Sequence, residues 1–224
     1  MHLGVIPDGN RRYAENNGLS HREAYEKAVE VIKDIGKKLR DDYRDDIDEV
    51  TFYLLSEENL DRDDRELQNL YELFNEYTEE VASHYSRNGF SVNWATKRPE
   101  PLPDKLREKL ESLEKRFDEG EKTINLLISY SGKEDILNAA ENISKNGKDF
   151  NREDFTGELQ IDSDIDYVMR TGDNPTRECL SGFPIWNASY AEYHHIPKHF
   201  PDVEKGDVEQ ALQHFQKLRR KKGE

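Results

Sequence analysis

Short apolar runs rich in β-branched and aromatic residues recur along this chain, and amphipathic helical segments separate them. Helices between strands return the chain to the same end of a sheet, so successive strands lie parallel. The 224 residues are enough for one domain of this kind. We therefore predict an α/β fold, a single domain with a parallel, about six-stranded central sheet and helices on both faces. The predicted strands cover residues 2–6, 50–55, 90–95, 123–129, 165–170 and 183–193.

Two long helices are predicted between the early strands. The first begins near Ser20, because Ser20 and Glu23 form a Ser-x-x-Glu capping box ahead of a run of apolar residues at helical spacing. The second covers residues 63–87, where one face is apolar and carries the large residues Tyr71, Phe74 and Tyr77.

The charge of the chain limits its partners. Its formal net charge is -15, which argues against general nucleic-acid binding, because such surfaces need Lys and Arg to neutralise phosphates. The basic end, KLRRKKGE, reads as a solvated helix end or, alternatively, as a contact for a partner or an anionic membrane. Cys179 is the single cysteine, so neither an intrachain disulfide nor a cysteine-based zinc cluster can form. With no apolar run of membrane-spanning length and no signal peptide at the start, we expect a cytoplasmic protein.

Polar residues follow several predicted strands at the points where those strands end. The segments are DGNRR (8–12), SEENLDR (56–62), RTGD (170–173) and YAE (190–192). Each alone also reads as an ordinary turn, but ligands of open parallel sheets bind beyond the carboxyl ends of the strands, where these segments would meet. Arginine forks bind phosphate oxygens, glycine admits a close backbone approach, and a carboxylate suits Mg²⁺. The sequence therefore predicts a diphosphate site with an accompanying Mg²⁺, and it contains no Walker A or Gly-x-Gly-x-x-Gly motif.

Four segments, HLGVIPDGNRRYA, FYLLSEENLDR, VMRTG and WNASYAEY, resemble in order and spacing those of the cis-prenyltransferases, the family of undecaprenyl diphosphate synthase and its archaeal relatives. The resemblance runs from His2 to about residue 215. It implies a single cis-prenyltransferase-like catalytic domain over residues 1–224, a homodimer, and a hydrophobic tunnel for the growing chain. It also implies Mg²⁺-dependent condensation of isopentenyl diphosphate with an allylic prenyl diphosphate. The expected product is a (poly)prenyl diphosphate for a lipid glycan carrier, whose release allows peripheral contact with a membrane.

The resemblance further implies roles for individual residues. Asp8 would be the essential carboxylate near the metal and the departing diphosphate, and Asp8→Ala would abolish turnover while leaving the fold intact. Asn59 would be the catalytic proton acceptor, and Glu192 would complete the metal site with Asp8. Residues expected around the substrates are Gly9, Asn10, Arg11, Arg12, Tyr13, His21, Ser56, Glu57, Glu58, Leu60, Arg62, Arg170, Arg177 and Ser181.

Two other functions remain open at this point. The 171–183 segment is longer than in the family pattern and differs from it, which leaves the register of Arg177 and Ser181 open. This difference motivates a second hypothesis, the condensation of two allylic diphosphates on the same fold. A third hypothesis is a non-catalytic partner subunit of a heteromeric prenyltransferase, which the presence of Asp8 disfavours. Tyr71, Phe74 and Tyr77 read either as core residues or as the floor of the tunnel.

Overall fold

A computed structural model describes residues 1–97, 101–174 and 179–221. Its strands are β1 (His2–Ile6), β2 (Glu49–Ser56), β3 (Phe90–Ala95), β4 (Lys122–Tyr130), β5 (Tyr167–Thr171) and β6 (Glu192–Ile196). They form one sheet in the order β3-β4-β2-β1-β5-β6, and every neighbouring pair is parallel. The predicted α/β fold with a six-stranded parallel sheet is confirmed.

Helices connect the strands, and the N-terminus of the second helix forms as the sequence predicts. The helices are α1 (Asn10–Asn17), α2 (His21–Asp42), α3 (Asp64–Ser86), α4 (Asp104–Arg116), α5 (Gly132–Asn146), α6 (Arg152–Gly157) and α7 (Lys205–Lys221), with 3₁₀ turns at Glu57–Asp61 and Phe200–Asp202. At the start of α2, Ser20 Oγ accepts a hydrogen bond from the Glu23 amide at 3.2 Å. The Glu23 carboxylate accepts one from the Ser20 amide at 2.8 Å, which completes the capping box.

Both faces of the sheet are buried, which is why its strands read as nearly continuous apolar runs. Successive side chains of a strand point to opposite faces. Phe52 of β2 packs edge-on against Tyr85 of α3 at 6.0 Å between ring centroids, on the face that α2, α3 and α7 cover. The next residue, Tyr53, packs on the other face against Phe183 at 5.8 Å. Behind that segment lies α5, whose Gly132 amide donates to the Gly182 carbonyl at 2.8 Å.

The sixth strand differs from the prediction of a strand over residues 183–193. Residues 183–191 form turns across one face of the sheet, and β6 begins at Glu192. The cause is Phe183, which is fully buried over Gly4, where a Cβ would come within 2.7 Å of its ring. The Phe183 ring fills the space that the missing side chain of Gly4 leaves open. This segment therefore packs on a face of the sheet and does not add a strand to its edge. Glu192 consequently stands at the beginning of a strand, not after its end.

A buried histidine at the amino edge of the sheet makes folding sensitive to acid. His2 Nε2 lies 2.7 Å from Thr51 Oγ1, and Nδ1 lies 2.9 Å from Ser163 Oγ. Burial lowers the pKa of His2 from 6.5 to about 4. Because the unfolded chain takes up this proton near pH 6.5 and the native state only near pH 4, stability falls as the pH drops through that window, by up to about 3 kcal/mol.

His2→Gln keeps a hydrogen-bonding side chain but removes the titration. We expect urea unfolding at pH 7.5, 6.0 and 5.0 to show the stability advantage of the wild type over this variant shrinking as the pH falls. A constant difference between the two proteins across the three pH values would contradict the prediction.

Candidate active site

A cleft of about 380 Å³ opens beyond the carboxyl ends of β1 and β2. In the sheet, β1 lies between β2 and β5, so the polar segments that follow these three strands converge there. The sequence-predicted residues that line the cleft are Asp8, Gly9, Asn10, Arg11, Arg12, Ser56, Glu58, Asn59, Arg62, Arg170 and Ser181.

Asp8 lies at the centre of the polar contacts in this cleft. Its Oδ1 accepts a hydrogen bond from Arg12 Nη2 at 2.9 Å, and its Oδ2 accepts one from Arg170 Nη2 at 2.7 Å. The Thr171 hydroxyl accepts from the Asp8 amide and donates to the Asp8 carbonyl, both at 2.9 Å. The carboxylate therefore lies between two guanidinium groups, and its backbone is anchored to β5.

Arg170 is an almost fully buried cation, with 3% of its side chain exposed. It donates to Ser181 Oγ at 2.9 Å and to the carbonyl of Cys179. The Tyr53 hydroxyl donates to the Ser181 carbonyl at 3.0 Å and holds this turn against the sheet. Because a buried charge must be paired and hydrogen-bonded, Asp8, Ser181 and Cys179 together fix the guanidinium in one orientation.

A short helix that the sequence pattern did not predict presents two of the arginines. Gly9 has φ +99° and begins α1, so Asn10, Arg11 and Arg12 form its first turn. The backbone amides at a helix N-terminus favour anions. A Cβ at Gly9 would also lie 2.7 Å from His199 Cδ2, so glycine is required here by conformation and by space.

Glu66 and Tyr25 join two further arginines, and sequence reasoning missed both residues. Glu66 Oε1 lies 3.3 Å from Arg11 Nε and 3.1 Å from Arg62 Nη1. Arg62 also donates to the Tyr25 hydroxyl at 3.3 Å. Arg11 and Arg62 come from different segments of the chain, and one carboxylate holds both side chains at the cleft. A helix residue within a run of charges carries no sequence signal for such a role.

Asp173 closes the RTGD segment at the end of β5, but the sequence predicted no individual role for it. Arg12 Nη1 donates to Asp173 Oδ1, while Asp173 Oδ2 lies 3.4 Å from His199 Nε2. Burial alone would raise the pKa of Asp173, but the neighbouring His199 and Arg12 lower it below its usual value. Asp173 is therefore ionised beside an arginine at the cleft.

Asn59 lines the cleft from the turn after β2. Its Oδ1 accepts a hydrogen bond from the Ser56 amide at 3.2 Å, which caps the 3₁₀ turn at Glu57–Asp61. This contact fixes the carboxamide and leaves its oxygen a second lone pair.

Four other predicted substrate residues lie outside the cleft walls. Tyr13 is buried in a small cluster under α1, and its hydroxyl accepts from Lys27 at 2.7 Å. His21 lines a separate pocket of about 320 Å³ between α2 and α3. Glu57 pairs with Lys97 at 2.6 Å, and Leu60 packs against the apolar cluster of α3 and α4.

Arg177 lies outside the described residues. The prediction for it therefore has no structural counterpart.

Glu192 does not reach the cleft. It pairs in register with Tyr167 at the start of β5, whereas Arg170, three residues further along, pairs with Ile6 and His195. Three residues of strand correspond to about 10 Å. Within one chain the strand register therefore separates Glu192 from Asp8, and a metal site shared by these two residues remains a prediction. Across residues 1–97, 101–174 and 179–221, no group of three or more His, Cys, Asp or Glu residues could hold a metal ion.

An apolar channel continues from the cleft between α2 and α3. The two spaces share Pro7, Asn10, Tyr25 and Leu54, and the channel extends to Phe74 and Tyr77 of α3. Its volume is about 60 Å³, far below the roughly 300–1,000 Å³ of typical ligand pockets. Large side chains thus restrict the space that follows the polar cleft.

Tyr71 lies away from this channel. Its hydroxyl is 3.3 Å from Ser129 Oγ, and its ring belongs to the cluster between α3 and α4. Of the three large α3 residues, Tyr71 is a core residue, whereas Phe74 and Tyr77 border the channel.

Sequence comparison identifies the family of the chain. A family model described as "Putative undecaprenyl diphosphate synthase" matches residues 6–223. The chain belongs to this family. The resemblance to cis-prenyltransferases is therefore confirmed, and with it the prediction of a prenyltransferase.

Relatives and solved structures agree over nearly the whole chain. An isoprenyl transferase of Campylobacter jejuni is 28% identical over 98% of this chain and 96% of its own length. A tritrans,polycis-undecaprenyl-diphosphate synthase (geranylgeranyl-diphosphate specific) of Picrophilus torridus is 30% identical over 100% of this chain and 89% of its own length. The crystal structure of lavandulyl diphosphate synthase from Lavandula x intermedia has a TM-score of 0.85 at 22% identity, covering 96% of this chain and 94% of that one. This last likeness establishes the shared fold.

None of the helices within the described part of the chain is both long and apolar enough to cross a membrane.

Proposed function

We propose that this protein is a Mg²⁺-dependent cis-prenyltransferase that condenses isopentenyl diphosphate with an allylic prenyl diphosphate. One observation carries the proposal: an arginine-lined cleft around Asp8 opens directly into an apolar channel between α2 and α3. A prenyl diphosphate has the same two parts, a dianionic or trianionic head and an apolar tail. Membership of the undecaprenyl diphosphate synthase family supports the same substrate class.

The arginines divide between the two diphosphates in this proposal. Arg11, Arg12 and Arg62, with the first-turn amides of α1, bind the allylic diphosphate next to the channel. Arg170, held by Ser181 and Asp8, binds the isopentenyl diphosphate. Guanidinium groups that are fixed before the substrates arrive stabilise the charge that develops on the leaving diphosphate without reorganising.

The condensation joins C4 of isopentenyl diphosphate to C1 of the allylic substrate. The bond from C1 to the diphosphate oxygen breaks, and the diphosphate leaves with the electron pair. A proton leaves C2 of the isopentenyl unit, and a new double bond forms there. Asn59 is positioned at the cleft to contact this unit, and we propose it as the group that receives or relays the proton. Holding C4 next to C1 supplies much of the remaining acceleration.

The residues at the cleft fit a magnesium ion that arrives with the diphosphate. Mg²⁺ in proteins is commonly held by one or two carboxylates together with substrate phosphates, and Asp8 offers such a carboxylate among the phosphate-binding arginines. Asp8 would hold the ion, which would neutralise charge on the departing diphosphate.

The channel predicts an effect on product length. Phe74→Ala removes a large side chain from its wall, so we expect products longer by one or more isoprene units. Chromatography of the extracted prenyl alcohols measures the length. Tyr71→Phe is the control, because Tyr71 lies outside the channel, and it should leave the product distribution unchanged. Identical products from wild type and Phe74→Ala would exclude Phe74 as a length determinant.

A turnover assay tests the proposed function. The purified protein is incubated with radiolabelled isopentenyl diphosphate, Mg²⁺ and, in parallel, dimethylallyl, geranyl, farnesyl or geranylgeranyl diphosphate. A series of cis-elongated products supports the proposal, in which the prenyl product serves as a lipid carrier for glycans. Branched products formed from allylic diphosphates alone would favour the irregular condensation. Absence of product and of diphosphate binding, with turnover restored by a second homologue, would favour the partner-subunit hypothesis.

The resemblance also implies a homodimer, which is part of this proposal. Analytical ultracentrifugation at the protein concentration of the assay tests it.

A further inference from the structure

Among the described residues, four arginines line the cleft, and each is in contact with a carboxylate. Asp8 holds Arg12 and Arg170, and Glu66 holds Arg11 and Arg62, so each of these acids joins two arginines from separate segments. They organise the site, because removing either one would take a shared ion-pair partner from two arginines at once.

Asp173 contacts this set of arginines differently. Among the described residues, the Asp173 carboxylate pairs with one of these arginines, Arg12. Arg12 also has a separate ion pair with Asp8. The Asp173 side chain is 48% exposed, whereas that of Glu66 is 15% exposed. Loss of Asp173 would thus leave the arrangement of the arginines intact.

The contact with Asp173 uses the part of Arg12 that an anion would need. Nη2 donates to Asp8 and Nη1 donates to Asp173, so each terminal nitrogen already directs one N–H group at a carboxylate. Bidentate recognition of a phosphate requires two parallel N–H groups of one guanidinium. A diphosphate that approaches the terminal nitrogens therefore competes with two carboxylates, and Asp173 is the more exposed of the two.

His199 offers the Asp173 carboxylate a second contact when the carboxylate leaves Arg12. His199 Nε2 lies 3.4 Å from Asp173 Oδ2, and 9% of the His199 side chain is exposed. The carboxylate can keep this contact while Oδ1 gives up Arg12. Displacement therefore requires a small rotation of Asp173 and no opening of the fold.

We propose that Asp173 is an internal competitor for the diphosphate group: its carboxylate occupies Arg12 in the free protein and weakens binding of diphosphates to the cleft. This inference rests on the proposed function, in which Arg12 binds the diphosphate of the allylic substrate. The 171–183 segment, which differs from the family pattern, would then affect substrate affinity directly through Asp173. Every productive binding event then exchanges Asp173 for a phosphate oxygen at Arg12.

Calorimetric titration with inorganic diphosphate tests this inference. Asp173→Asn keeps the shape of the side chain but removes its charge, and we expect diphosphate affinity to rise by up to about fivefold, the upper end of the range for loss of a partly exposed ion pair. Glu15→Gln is the matched control, because Glu15 is an exposed carboxylate that lines the same cleft. It removes the same charge, and its gain in affinity should be smaller. In an Arg12→Gln background, Asp173→Asn should produce no gain.

Farnesyl diphosphate, titrated alone in the same way, distinguishes the source of the diphosphate group. A gain with both probes assigns the competition to the substrate, and a gain with inorganic diphosphate alone assigns it to the released product. Asp173→Gly provides a second variant should Asp173→Asn fold poorly. Unchanged or weaker binding by these variants, with a wild type that binds, overturns the role of Asp173 and leaves the proposed function standing. No binding of either probe by any protein, with or without Mg²⁺, overturns both.

Discussion

Asp8→Asn is expected to lower turnover by about a thousandfold or more, because the cleft then loses the carboxylate proposed to hold the metal ion. The substitution retains the size and one carbonyl oxygen of the side chain. Its new amide group must face Arg12 or Arg170, whose N–H groups now bond the two carboxylate oxygens. Two donors would then oppose each other, so the free energy of unfolding should also fall, by about 1–3 kcal/mol.

The measurements for this variant separate chemistry from folding. Steady-state turnover with radiolabelled isopentenyl diphosphate gives the activity, and urea unfolding gives the stability. Asp61→Asn is the control, because Asp61 is an exposed carboxylate at the end of the 3₁₀ turn after β2 and should be replaceable without either effect. Turnover by Asp8→Asn within tenfold of the wild type would refute the role of Asp8.

Contacts around Asp8 also change what is expected of Asp8→Ala. The sequence predicted loss of turnover with the fold intact. However, Arg170 is buried, and without Asp8 its hydrogen-bond partners among the described residues would be Ser181 and Cys179. Removing one member of a buried ion pair is strongly destabilising. We therefore expect Asp8→Ala to be less stable than Asp8→Asn, and asparagine is the better test of catalysis.

Local patterns predicted much of the fold because local interactions produce those elements. The Ser20–Glu23 capping box lies within four consecutive residues, and the structure forms it as predicted. The first five strands are apolar runs, because both faces of the sheet are buried. The sixth was misplaced because Phe183 is as apolar as a strand residue but covers Gly4. Only the shape of the sheet distinguishes those two uses of an apolar side chain.

Sequence motifs predicted the site residues that belong to them. They did not predict the contacts that join residues far apart in the chain. Asp8 and Arg170 stand at the ends of recognisable strands. The contact between Arg12 and Asp173 joins residues 161 positions apart, and neither residue type is unusual in a loop. Glu66 belongs to a helix with many other acidic residues. Which carboxylate meets which arginine follows from how distant segments of the chain pack together, which local sequence does not encode.

Gly9→Ala is expected to cost about 3 kcal/mol of unfolding free energy, since two penalties coincide at this position. A residue with a Cβ at φ +99° loses about 1–2 kcal/mol from backbone strain. The added methyl would also lie 2.7 Å from His199 Cδ2 and 3.1 Å from His199 Cα, an overpacking that costs roughly 1–3 kcal/mol. Affinity for inorganic diphosphate should fall as well, because α1 would have to shift along with Arg11 and Arg12.

Gly18 offers a matched control at the other end of α1. It has φ +64°, yet a Cβ there would meet nothing within 4 Å, so Gly18→Ala carries the strain alone and should cost about 1 kcal/mol. Urea unfolding of both variants isolates the contact with His199 as the difference between them. Equal losses would show that His199 moves aside freely and that Gly9 is needed only for its conformation.

Adding His199→Ala to Gly9→Ala completes the test. This change removes the imidazole but leaves the His199 Cα, which would still lie 3.1 Å from the new methyl. Part of the stability should therefore return, with a coupling of about 1 kcal/mol between the two positions, while the backbone strain at Gly9 remains. Recovery of stability without recovery of diphosphate affinity would mean that the left-handed turn at Gly9, and not the room beside His199, aims the first turn of α1 at the anion.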